Sequence, residues 1–457
     1  MNKLLLKGTL LLTLTGFATR FIGFFYRIFL SRTFGAEGMG IYQLVNPVLA
    51  LTLSLCAAGI QTSISKYVAN ETSTHDYRHS LKVLLSGLLL SLTLSTLCMF
   101  FLLSNAEFIA ISLLHEERTA PLIRIVALSV PFASLHSCIN GYYYGIRKTG
   151  LPAFSQLFEQ IVRVLTVFLL YRHCIENGYE LHISCAVFGL LSGEIASSLL
   201  CTVFMFARFG KHLPTPNSRT PDALFFSVSK IAKMAAPLSA SRIVINFLAS
   251  VEAVLIPLRL TAFGLSYPDA LSIYGILTGM ALPFILFPST LTNSFSVLLL
   301  PVISEAQENI DFGKIRRATQ KTAFFSLLFG LACCILFLCI GMPAGRIVFH
   351  NELAGKFMMI LSFLCPFLYL ATTMSSILHG LGKTGISFFI NTGSLLIRLL
   401  FIHFLIPVLG IRGYLYGLLA SQLTAAILNY IMVWRELYNM RRHATSAGFL
   451  CPQAKKG

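Results

Sequence analysis

The sequence predicts an all-α, multi-pass membrane protein of about twelve transmembrane helices, set in two six-helix lobes related by pseudo-two-fold symmetry along the membrane normal. Three observations carry this expectation. Of 457 residues, 56% are hydrophobic and only 12% charged, against about 25% charged in soluble domains. Apolar runs of about 20 residues, enough to cross a hydrocarbon core of ~30 Å, recur from end to end. Charged residues and short motifs of the first half also return in the second.

The first run, 8–30, follows Lys3 and Lys7 and superficially resembles a signal peptide. It is too long, carries Arg20 and Arg27, and shows no small-residue cleavage site, so a retained helix is expected. Runs follow at 41–64, 82–104, 122–145, 152–172 and 183–207. The second set lies at 230–258, 271–300, 322–344, 357–380, 386–407 and 413–434. This gives an amino-terminal lobe (1–207), a polar linker with Pro214, Pro216 and Pro221 (208–229), a carboxy-terminal lobe (230–437) and a basic tail (438–457). Pro47, Pro131, Pro237, Pro257, Pro283, Pro288 and Pro366 fall inside runs, where membrane helices tolerate them as kinks. Tyr142, Tyr143, Tyr144, Trp434 and Tyr438 fall at run ends, where amphipathic rings settle at the interface.

Lysine and arginine placement sets the orientation. With the amino terminus inside, 22 basic residues lie on the cytoplasmic side and eight on the outer side, so both termini are expected in the cytoplasm of a cell-membrane protein. The net charge of +17 is thereby explained by topology, and nucleic acid is not expected as a partner.

The remaining five basic residues, Arg20, Arg27, Arg163, Arg242 and Arg398, lie within the runs. Charge at the bilayer centre costs roughly 2.5–3.5 kcal/mol per residue on insertion scales, so such residues usually face a polar cavity or a partner. They are also paired by the repeat. Ala18-Thr19-Arg20-Phe21 echoes Ala240-Ser241-Arg242-Ile243. Gly145-Ile146-Arg147-Lys148-Thr149-Gly150 echoes Gly380-Leu381-Gly382-Lys383-Thr384-Gly385, and that register places Arg163 on Arg398. Ser65-Lys66 likewise falls on Ser304-Glu305. Arg20 and Arg27, seven apart, share one helix face.

Guanidinium binds phosphate oxygens with a planar fork and stays charged at working pH, so an arginine-lined cavity for an anion is expected. The alternative is structural pairing, but only three carboxylates, Glu159, Glu194 and Glu252, are available to five arginines. Glu159 and Arg163 have the i,i+4 spacing of an internal salt bridge, whereas position 394 before Arg398 is Ser. Glu252 is a candidate proton or sodium site or a partner for Arg259, and Glu194 is open to either role.

No Cys or His pattern with metal-ligand spacing occurs, and most of the eleven cysteines lie in apolar runs as small apolar residues, with a Cys174–Cys185 pairing the weaker alternative. His350, His379 and His403 are scattered, without ligand spacing. No Ser-His-Asp or paired-carboxylate constellation is visible, so no enzyme, cofactor or metal is expected. The glycines of Gly35-Ala36-Glu37-Gly38-Met39-Gly40 are expected to form a loop turn, since no nucleotide-binding context surrounds them.

Several segments resemble the stage V sporulation protein B family, in the polysaccharide-transporter branch of the superfamily of multidrug and toxin extrusion (MATE) proteins and lipid II flippases. They are Tyr26-Arg27-Ile28-Phe29-Leu30, Gly35 to Gln43, Ala58 to Lys66, Ser155 to Val164, Arg259-Leu260, Tyr274 to Ala281 and Leu300 to Ala306. The resemblance implies a MATE-like fold that exports lipid-linked envelope saccharides by alternating access, with Arg20 and Arg27 helping to bind the head group. Many relatives have fourteen helices where twelve are expected here, and Gln61 stands where family members often have Pro.

The expected function is a flippase for an undecaprenyl-pyrophosphate-linked oligosaccharide or lipid II-like peptidoglycan precursor, with Arg20, Arg27, Arg242, Arg163 and Arg398 as substrate-binding residues. Glu252, Glu159 and Glu194 are the candidates for Na⁺ or H⁺ coupling, beside the membrane potential. Membrane lipids and cell-envelope synthases are the other expected partners. A cation-coupled multidrug antiporter of the same fold is the alternative, though organic cations favour central carboxylates over arginines. A membrane-embedded transferase needs clustered acids or histidines at one face, and the outward Glu116-Glu117 pair is too thin for that.

Overall fold

In a computed structural model the chain is described over residues 3–72, 77–209, 221–289, 291–292, 303, 305–306 and 312–446. Within these residues it is helical throughout, with no strand. The echo at Ser304, the motif residues 300–302, the heart of the linker and the last part of the tail lie outside them.

The helices are α1 (Lys3–Leu53), α2 (Gly59–Thr72), α3 (Tyr77–Ser104), α4 (Ala120–Gly145), α5 (Gly150–Glu176), α6 (Ser184–Phe209) and α7 (Pro221–Ala262). There follow α8 (Tyr267–Gly275), α9 (Phe312–Val348), α10 (Glu352–Ser362), α11 (Cys365–Gly380), α12 (Thr384–Leu409) and α13 (Ile411–Ser446). Among the described residues, ten helices are long and apolar enough to cross a membrane, or eleven when α10 and α11, bent by 57° across a short break, count as one span. They remain apolar on their exposed faces: Phe389 is 73% exposed and Phe324 69%, which only a hydrocarbon surrounding makes favourable. The chain is a multi-pass membrane protein.

The first two expected runs are the two arms of α1 and its continuation into α2. The expected turn at 35–40 shrinks to one residue: two helical arms of α1 meet across a kink at Gly35, at φ 69°, ψ −173°, and 36–40 are helical. No side chain obstructs that left-handed kink, since nothing lies within 4 Å of a Cβ built there. Gly40 serves another purpose. A Cβ on it would lie 2.3 Å from the Leu271 carbonyl oxygen, and one on Gly275 would lie 2.1 Å from that of Ala36. α1 and α8 therefore cross backbone to backbone, as small residues permit where no hydrophobic driving force separates helix from lipid. Gln43 Nε2 donates to the Thr278 carbonyl at 3.1 Å beside the crossing. Beyond it, helix gives way to a π-turn at Ser54–Ala58, before Gln61.

Packing divides the chain into two compact units. The first comprises Met1–Thr261 and Leu265–Met280, and so gathers the expected seventh span and the beginning of the eighth, 271–280, with the first six. The α1–α8 crossing accounts for this, together with Asn246 of α7, which donates to Ser54 Oγ at 2.6 Å and to the Ala50 carbonyl at 3.3 Å. Its core joins Ile60 and Ile64 of α2, Leu84 of α3, Ile139 and Tyr142 of α4, and Ile231 of α7. Tyr142 and Tyr143 are buried there, packed against protein. The second unit comprises Ala262–Gly264 and Ala281–Gly457, with a core of Met374, Ile377 and Leu378 from α11 and Ala425, Ala426 and Val433 from α13. Trp434 in this unit lies 5.7 Å from the Arg316 guanidinium, a cation–π contact. The cysteines among the described residues are free thiols, Cys174 and Cys185 included.

Gly275→Val places two methyl groups in backbone of α1 and is expected to lower stability by about 3 kcal/mol, the upper range for overpacking. Gly393→Ala, with nothing within 4 Å, is expected to be neutral. Unfolding midpoints of the detergent-solubilised variants check the contrast.

Candidate functional site

The five intramembrane arginines divide into two kinds by their surroundings. Arg20 is exposed on α1 and Arg242 exposed on α7, while Arg27 and Arg398 are half-buried. Among the described residues no carboxylate pairs with Arg27 or Arg242. Arg20 and Arg27 lie on one face of α1, next to an exposed aromatic stripe on the adjoining face. In that stripe Phe17 stacks with Phe21 at 6.4 Å and Phe21 meets Phe25 edge-on at 4.9 Å. A row of guanidinium beside a row of aromatic rings suits an amphiphile whose charged group adjoins an apolar chain.

Arg163 is of the other kind. Its Nη2 lies 2.5 Å from Glu159 Oε1 and 3.7 Å from Glu194 Oε1. The expected i,i+4 pair is present, and it is part of something larger. Glu194 Oε2 is 2.7 Å from His136 Nε2, so α4, α5 and α6 meet in one polar network inside the first unit. Asn140 Nδ2 approaches His136 Nδ1 at 3.5 Å and donates to Ser155 Oγ at 3.3 Å. Cys201 Sγ donates to Asn140 Oδ1 at 3.8 Å. The charged side chains retain 10–19% exposure, so little water screens them. Arg163 is held by two carboxylates, which take up its charge.

His136 and Asn140 were invisible as site residues because an apolar run with one His gives no motif. Their i,i+4 spacing on a helix also rich in buried Ser129 and Ser134 was the available signal. The ligand atoms of His136, Glu159 and Glu194 lie within 4.8 Å of one another, as a metal ion would require. A metal does not fit there, because Arg163 Nη2 already stands between the two carboxylates as their bridging cation.

Glu252 is buried on α7 and Arg259 half-buried on the same helix. The structure brings neither into the Arg163 network. Ser394 of α12, one turn before Arg398, donates to the Asn391 carbonyl at 2.8 Å. Arg118 clasps Glu116 through Nε at 2.7 Å and Nη2 at 3.0 Å and also reaches Glu37 of α1 at 2.7 Å.

The family model for polysaccharide biosynthesis proteins matches residues 5–307. The chain belongs to that family. It is 27% identical over 445 residues to the stage V sporulation protein B of Bacillus subtilis, covering 94% of this chain and 84% of that one. It is 24% identical over 459 residues to the lipid II flippase MurJ of the same organism, covering 95% and 83%. Among solved structures, an inward-facing multidrug-resistance MATE transporter of the MOP superfamily superposes with a TM-score of 0.72 over 93% of this chain and 96% of its own, at 14% identity. A MOP-superfamily transporter from Pyrococcus furiosus, described as having a binding pocket of reversed polarity, gives 0.66 over 95% and 96%, at 15% identity. The fold is MATE-like, and these relatives are transporters rather than enzymes.

Proposed function

We propose that this family member is a flippase that carries an anionic undecaprenyl-pyrophosphate-linked oligosaccharide or lipid II-like peptidoglycan precursor outward by alternating access. The observation that carries the proposal is the pairing of exposed Arg20 and half-buried Arg27 with the Phe17-Phe21-Phe25 stripe on α1, in a chain similar along its length to a lipid II flippase. A pyrophosphate on a polyprenyl chain needs both surfaces at once. Arg20, Arg27 and Arg242, all within the first unit, would hold the head group. In this proposal the repeats remain the six-helix lobes 1–207 and 230–437, joined by 208–229, with both termini in the cytoplasm. Outward movement of two negative charges across an inside-negative membrane is favoured by ~2.3 kcal/mol per charge per 100 mV, so the potential alone drives export.

Complementation tests this directly. Cells depleted of their own lipid II flippase are expected to grow when this protein is supplied and to lyse when it is not. Lysis in the presence of membrane-inserted protein would exclude lipid II as the passenger. An altered drug-susceptibility profile in the same cells would favour the antiporter instead.

A further inference from the structure

We infer that His136 is a proton-binding site, shared with Glu194 and Arg163, that couples proton entry to the transport cycle; the coupling rests on the flippase proposal, the proton site does not.

Charge counting inside the network carries the inference. Glu159 and Glu194 contribute two negative charges and Arg163 one positive, at 10–19% side-chain exposure. With a neutral imidazole the network holds one uncompensated negative charge in the membrane interior; with a protonated one it is neutral. Low dielectric makes that difference matter, so the network has a place for one added positive charge. Arg163 Nη2 already fills the place between the carboxylates. A proton on either carboxylate would also restore neutrality, and His136 is the group of the three whose ordinary range places that proton near neutral pH.

The geometry also provides two arrangements. Glu194 lies between two partners, at 2.7 Å from His136 Nε2 and 3.7 Å from Arg163 Nη2. The second separation is too long for a hydrogen bond, and Arg163 Nε is buried with no acceptor. A charged imidazole holds Glu194 to α4. A neutral one holds it less strongly, and the carboxylate is then free to close on the guanidinium of α5, whose Nε awaits an acceptor. One proton therefore decides whether α6 is tied to α4 or to α5.

The charged groups acting on His136 are Glu194 from α6 and Glu159 and Arg163 from α5. From α1, Tyr26 and Tyr42 act on Arg163. Cys201 of α6 reaches the network only through Asn140. Among the described residues no charged side chain of α2 or α3, which pack on α4 elsewhere, acts on His136.

A route to the passenger site exists within the same unit. Tyr42 is an electrostatic neighbour of both Arg163 and Arg27. Tyr26, next to Arg27 in sequence, donates to the Ala186 carbonyl of α6 at 3.5 Å. A Cβ on Gly23 would lie 3.5 Å from Gln160 Nε2 of α5. The helix that carries Arg20 and Arg27 thus rests on α6, which carries Glu194, and on α5, one of the two helices that Glu194 can tie.

The test uses the full chain in two arms. In nanodiscs, with histidine carrying isotopic label, one imidazole resonance lost in His136→Gln is expected to switch between neutral and charged forms from about pH 9 to about pH 5, and to change that response in Glu194→Gln. A resonance that keeps one form across this range overturns the proton site. In proteoliposomes, with a fluorescent undecaprenyl-pyrophosphate saccharide as probe, an acid-outside gradient of one pH unit is expected to raise its outward distribution about tenfold at one proton per passenger. In His136→Gln that ratio is expected to fall to about one, and His136→Arg, which keeps a fixed charge against Glu194, serves should the first variant fail to fold. Gradient dependence that survives either variant, or that follows sodium in place of protons, overturns the coupling. Absence of any probe flux from the unaltered protein, with the imidazole still titrating, sinks the flippase proposal and leaves the proton site standing.

Discussion

Arg20→Ala and Arg242→Ala are each expected to slow translocation of a pyrophosphate-linked lipid by 10- to 100-fold while the protein still reaches the membrane. The size follows from the loss of one charge-assisted hydrogen-bonding group, worth about 1.5–3 kcal/mol. Stability should hardly change, because both side chains are exposed, and exposed substitutions usually shift stability by no more than about 0.5 kcal/mol. Arg20→Lys keeps the charge but not the fork, and is expected to fall between the two. The measurement is flux of a fluorescent undecaprenyl-pyrophosphate lipid in proteoliposomes, normalised to inserted protein. Full flux in both alanine variants would remove the arginines from the passenger's path. A loss of flux matched by a loss of folded protein would make them structural after all.

That contrast bears on how far sequence reached. Hydropathy alone placed the helices, because a membrane demands about 20 apolar residues per span and leaves no other way to satisfy a backbone. The glycine-rich stretch at 35–40 was another matter. Its residues suggest a turn, yet Gly40 and Gly275 are there for a helix crossing. Sequence spacing does not reveal which distant helix a small residue faces. The grouping of α7 and α8 with the first unit has the same origin, since it depends on contacts between residues 192 to 235 positions apart. Among site residues, the Glu159–Arg163 pair was legible because both partners lie one turn apart on one helix. Glu194 and His136 were not, because each completes its bond only across helices. Arg163 therefore looked like its exposed counterparts when judged by depth alone, and its two carboxylates distinguish it.

Arg163→Met should therefore behave unlike Arg20→Ala. Removing the guanidinium leaves two carboxylates with a single imidazole between them, and breaking a buried pair from one side costs roughly 3–5 kcal/mol. Glu159→Gln is expected to cost much less, because Glu194 and Arg163 still balance each other with His136 neutral. The double variant Arg163→Met with Glu159→Gln restores the original count of one surplus negative charge, so it should be more stable than Arg163→Met alone. The difference, a coupling of about 1–3 kcal/mol, is what contacting charges give in such cycles. Denaturation of the four proteins in the same detergent reads all the terms. Should Arg163→Met unfold within about 0.5 kcal/mol of the unaltered chain, the network is not holding α5 and α6 together, and Arg163 returns to the passenger-facing group. If instead the order holds, flux per folded molecule in Glu159→Gln separates the two kinds of arginine: the charge that meets the passenger remains on α1 and α7, and the charge on α5 stays with its neighbours.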